Sequence, residues 1–173
     1  MAAQATPTVD ALSDPAREAA RLYQEGMIAG VIGAATVALW FLLLDTAAGR
    51  PLYTPTVLGT AIFRRSALAS PETLSVSLEM VGMFTWVHML VFAALGGIAS
   101  RLLGMVERNP SWGFGLLLLA VVFEFGFVAA AALLAAPVLR VIPWPSVLAA
   151  NLLAAAAMTA YFWRRHPHLV VSP

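Results

Sequence analysis

Met80 to Leu103 reads MVGMFTWVHMLVFAALGGIASRLL. An apolar run of this length constrains the fold more than any other feature of the chain. A helix of about 20 apolar residues crosses a hydrocarbon layer of about 30 Å. Three further runs have the same character: Met27–Leu44, Ser111–Leu139 and Ile142–Trp163. Hydrophobic residues make up 61% of the chain and charged residues 11%, against roughly 45–50% and 25% in a soluble domain. The excess is gathered into these runs. The predicted fold is all-α: an integral membrane four-helix bundle, with spans at about 25–46, 78–102, 112–136 and 143–164.

Local signals set the expected boundaries. Met1–Ser13 is rich in Ala, Thr and Pro and reads as a disordered tail; a single transmembrane domain follows over 14–166, and 167–173 is a short tail. Asp14-Pro15 reads as a helix start, because Asp caps free amides and proline has no amide to leave unpaired. Nothing in the first 23 residues resembles a signal peptide, so the first run is expected to be a retained span. Within it, Gly26, Gly30 and Ala34 are spaced by four, as are Ala29 and Gly33. Small residues at that spacing admit close helix packing.

The longest connection joins spans 1 and 2. It contains two cap-plus-proline pairs, Thr54-Pro55 and Ser70-Pro71. Val57, Leu58, Ala61, Ile62 and Leu68 share one side of a helix, and Thr60, Arg64 and Arg65 fall elsewhere. That pattern predicts a short extracytoplasmic interfacial helix over Val57–Leu68. Ser70 is expected to begin span 2 early, projecting beyond the bilayer. Pro143-Trp144-Pro145 opens the last span, which closes at Arg164-Arg165-His166.

Several function classes are excluded. The formal net charge is +1 and no basic cluster tracks a phosphate backbone, which argues against nucleic acid. Cysteine is absent, so disulfides, thiolate metal sites and cysteine nucleophiles are excluded. There is no phosphate loop, metalloprotease His pair or nucleophile–His–acid arrangement. The halves do not match in loop lengths or polar positions, so an inverted-repeat transporter is unsupported. Only arginine supplies basic charge and alanine is abundant, a bias of high-GC bacterial genes. Six arginines (17, 21, 101, 108, 164 and 165) flank one side of the spans and four (50, 64, 65 and 140) the other. The excess places both termini in the cytoplasm of a bacterial inner-membrane protein.

The candidate site is a polar layer at mid-depth. His88 lies ~15 Å from the outer surface, Glu124 ~16 Å, Asn151 ~12 Å and Thr36 ~15 Å at 1.5 Å per residue. Ionisable side chains in hydrocarbon are costly and cheaper together, so His88 and Glu124 are expected to be partners. The layer reads either as an interhelical clamp or as a proton-exchanging core. No cofactor is predicted. Haem or metal at His88 is disfavoured, because His166 and His168 sit in the tail at the opposite surface. Those two are expected to be solvated, as is Asp45 at its span end.

Two functions remain. The first is a non-enzymatic accessory or structural subunit acting through helix packing, as a homo-oligomer or within a larger membrane complex. The alternative is a small proton or ion conduit, or a binding protein for a quinone-like lipid-soluble ligand, built on His88 and Glu124.

Overall fold

A computed structural model of the chain describes residues 9–64, 70, 73–109, 113–114, 138 and 140–166. Every described element is helical. Helix α1 spans Val9–Ala47, α2 Tyr53–Phe63, α3 Leu78–Arg108 and α4 Trp144–Arg165. Among the described residues, three stretches are long and apolar enough to cross a membrane: Ala20–Ala47 within α1, Leu78–Val106 within α3, and α4. The chain thus has the character of a membrane protein. Most of the third apolar run lies outside the described residues, and Glu124 with it.

Helix α1 is the element on which the others are assembled. It packs along both α3 and α4, and cross-contacts give the directions. Ser100, late in α3, donates to the Leu22 carbonyl early in α1 at 2.6 Å. Trp40, late in α1, donates through Nε1 to the Ser146 carbonyl early in α4 at 3.1 Å. Helix α1 therefore runs antiparallel to α3 and α4. One end of the bundle holds Glu25, Ser100 and Arg165; the other holds Asp45, α2 and Ser146.

The small residues of α1 make the seam with α3. Gly26, Ala29, Gly30, Gly33 and Ala34 are all buried. A Cβ on Gly26 would lie 2.7 Å from the Gly96 carbonyl oxygen, and one on Gly96 would run into the Gly26 carbonyl. Backbone meets backbone here, a fit that side chains at either position would prevent. Gly97 is not such a point, since a Cβ there meets nothing. Away from the seam, Leu39, Leu43, Trp86, Leu90, Leu152 and Trp163 are exposed. Large apolar side chains displayed along such helices suit lipid better than water.

Helix α2 differs from the sequence expectation in extent. It begins at Tyr53, next to the Thr54-Pro55 signal, and ends at Phe63. Its buried residues are Tyr53, Thr54, Thr56, Val57, Gly59 and Thr60, while Ile62 and Phe63 are exposed. The threonines can go inward because each hydroxyl is satisfied: Thr56 donates to Leu52 and Thr60 to Thr56, both at 2.8 Å, and Thr54 to Asp45 at 2.7 Å. Gly59 permits contact with the Met80 backbone at the start of α3. Tyr53 and Val57 then join Val138 and Ile142 in a small apolar core capping this end.

Two helix starts also depart from expectation. Helix α1 begins at Val9, ahead of Asp14-Pro15, so part of the expected disordered tail is helical. Proline removes one helical bond there without ending the helix. Helix α3 begins at Leu78 rather than at Ser70-Pro71. Ser77 supplies the cap, accepting from the Met80 amide at 3.4 Å, and Glu79 sits in the first turn. Thr73 instead closes a tight turn on Ser70. Helix α4 starts where proline marked it, with Pro143 as N-cap and Pro145 in the first turn.

Candidate functional site

The two carboxylates buried most completely among the described residues both sit on α1, twenty positions apart. That separation is about 30 Å along a helix, the thickness of a hydrocarbon layer.

Glu25 is 2% exposed. Its Oε1 accepts from Arg21 Nε and Arg165 Nη2, each at 3.1 Å. Its Oε2 accepts from His166 Nε2 at 3.0 Å. Arg21 is one turn back on α1, whereas Arg165 and His166 end α4. Burying a carboxylate is tolerated when hydrogen bonds and counter-charge replace water, and here both are present. His166 is thus not a solvated tail residue. The end of α4 lies against α1 one turn inside Arg21, and the carboxylate draws the imidazole down. His168 lies outside the described residues.

Asp45 is 6% exposed and is also no solvated span end. Its Oδ2 accepts from the Thr54 amide and its Oδ1 from the Thr54 hydroxyl, both at 2.7 Å. The chain reverses between them through Gly49 at φ 71° and Leu52 at φ 65°. A leucine in the left-handed region costs about 1–2 kcal/mol. Asp45 offsets that by accepting from the free Thr54 amide in the first turn of α2.

Of the predicted polar layer, His88, Thr36 and Asn151 are described. His88 lies midway between Glu25 and Asp45, its Nε2 3.2 Å from the Ala34 carbonyl oxygen of α1. A carbonyl can only accept, so Nε2 carries the proton. The ring is stacked against Phe84 at 5.4 Å and tilted against Phe92 at 4.8 Å. Thr36 donates to Ile32 on its own helix at 2.8 Å, and does not bond His88. Asn151 is half-buried on α4. The His88–Glu124 pairing involves a residue outside the description. Among the described residues no three His, Asp or Glu side chains are grouped as a metal site.

Glu25 escaped the sequence reading because charged residues were sought at mid-depth. A usable signal was present: Arg21 and Glu25 are four apart, and Glu25 continues the Ala29–Gly33 spacing backward onto the packing face. No protein-family model matches this chain, and no curated protein or solved structure matches it.

Proposed function

We propose that this chain is a structural or accessory subunit of the bacterial inner membrane that acts through helix packing. One observation carries the reading. Four polar side chains within the described spans end on backbone carbonyls: Ser100 on Leu22, His88 on Ala34, Trp40 on Ser146 and Thr36 on Ile32. Three of these four join different helices. Polar groups used in this way fix register and orientation; they are not held open for a substrate.

The architecture proposed is a four-helix membrane bundle with both termini cytoplasmic and α2 at the outer interface. Helix α3 heads toward the Glu25 end, and Val138 belongs to the α2 end. The 28 residues from 110 to 137 join these opposite ends and include the third apolar run, which supports a fourth crossing. The broad apolar faces of the helices then meet lipid, further copies of the chain or a larger membrane complex.

The competing reading, a proton conduit or quinone-like ligand site at His88 and Glu124, predicts proton movement. Purified protein in vesicles containing a pH-sensitive dye separates the two. The packing reading expects the protein-free leak rate, near wild-type melting for His88→Gln, which retains a donor, and lower melting for His88→Leu. Acidification that scales with protein and disappears in both His88→Gln and Glu124→Gln would overturn it.

A further inference from the structure

We propose that the Glu25 end of the bundle carries a binding site for the phosphate of an anionic phospholipid headgroup, built from Arg21 and Arg165. Both guanidiniums reach the same oxygen of one buried carboxylate, at 3.1 Å each. Two like charges are thereby held side by side, which two free surface arginines would avoid. Each guanidinium has five N–H donors, and each directs one at Glu25. The rest stay accessible: the Arg21 and Arg165 side chains are 68% and 49% exposed. Glu25 neutralises one of the two charges, and its own lone pairs are engaged by Arg21, Arg165 and His166. The surplus is a pair of pre-positioned forks with one uncompensated positive charge, the donor geometry that matches phosphate oxygens.

The location selects a lipid over a soluble anion. Tyr23 and Trp163 are exposed at the same level of the bundle, and the Arg101 guanidinium lies 5.6 Å over the Tyr23 ring. Exposed aromatic rings at span ends mark the headgroup level. From Arg17 onward this end carries six arginines against Glu18, Glu25 and Glu107, so the local field favours an anion. Among the described residues of the opposite end the arginines are placed differently: Arg64 is paired in two-pronged fashion with Glu79, at 2.8 and 2.9 Å, and the Arg50 guanidinium lies 3.5 Å over the Tyr53 ring. The proposal goes beyond the packing reading and does not depend on the unmatched third run.

Native mass spectrometry and melting in nanodiscs test it, with phosphatidylglycerol compared against phosphatidylcholine. Wild type should retain phosphatidylglycerol preferentially and melt higher in it. The decisive variant is Arg21→Gln/Glu25→Gln/Arg165→Gln, which removes both forks without leaving a buried carboxylate unpaired. Its preference should fall roughly twentyfold, at roughly fivefold per arginine near a headgroup. Arg17→Gln/Arg164→Gln, at the same end but off Glu25, should lose much less. Equal loss in the two variants would mean diffuse attraction and overturn the site. Should the triple variant not fold, Arg21→Lys/Arg165→Lys keeps the charge but not the forks, and unchanged preference there overturns it equally. Wild type with no preference overturns it without any variant. Millimolar inorganic phosphate that reproduces the full melting shift in phosphatidylcholine would assign the site to a soluble anion instead.

Discussion

The two ends of α1 solve the same problem in different ways. Glu25 and Asp45 are both buried carboxylates, and neither faces the seam center where His88 sits. Glu25 is satisfied by the guanidiniums of Arg21 and Arg165 and by the His166 ring, the last two from the end of α4, more than a hundred residues away in sequence. Asp45 is satisfied by an amide and a hydroxyl of Thr54, nine residues away. The first is a tertiary tether and the second a local cap. The difference teaches where each contact acts. The tether joins first and last helices and leaves positive charge over; the cap orders a turn and leaves nothing over.

The largest effect is expected at neither end. If helix spacing is set where backbones touch, Gly96→Leu should cost at least about 3 kcal/mol, the upper range for overpacking, because the opposing Gly26 carbonyl cannot move aside. Unfolding by SDS titration measures it. A loss below that of either carboxylate variant would show that the ends, not the seam, hold α1 against α3.

Next is the tether. Glu25→Gln strands Arg21, Arg165 and His166 without their anion. Breaking a fully buried pair costs about 3–5 kcal/mol; these cations are partly solvated, so about 2 kcal/mol is expected. The loss should shrink in 1 M NaCl, where charges are screened beyond about 3 Å. Insensitivity to salt would make the cluster a hydrogen-bond network like the cap.

The cap should be weaker and indifferent to salt. Asp45→Asn retains an acceptor for the Thr54 amide and should lose about 1 kcal/mol, the usual value of a helix cap. Faster hydrogen exchange confined to α2 would accompany it. Exchange that rises throughout α3 and α4 as well would show that Asp45 is a tether after all.

Smallest of all is Arg64→Gln. Its pair with Glu79 joins α2 to the first turn of α3, but both side chains are more than half exposed. Exposed pairs contribute about 0–1 kcal/mol, so the melting point should stay within the scatter of wild type. A clear drop would give the α2 end an ionic contribution that the comparison assigns to the Glu25 end alone.

Much of the frame was legible from the chain. Apolar length located the three described spans, because a helix in lipid needs a set number of residues whatever packs beside it. The Gly26–Gly30–Ala34 and Ala29–Gly33 spacings located the packing face, because periodicity is a property of the helix itself. Pro143-Trp144-Pro145 located the start of α4 for the same local reason. Where two local signals competed, as at Ser70-Pro71 and Ser77, the sequence did not rank them.

Which polar groups would meet was decided only in three dimensions. The periodicity of α2 put Val57, Ala61 and Ile62 on one side without saying what that side would meet; in the fold, the threonines and Gly59 are buried, with Gly59 against Met80, while Ile62 is exposed. His166 looked like a tail until α4 was laid against α1, where its ring falls on Glu25. The Ala34 carbonyl that meets His88 Nε2 is a partner that no side-chain pattern announces. A span's length is counted within one helix. A hydrogen bond between helices depends on their spacing and rotation, which Gly26 and Gly96 set only when brought into contact.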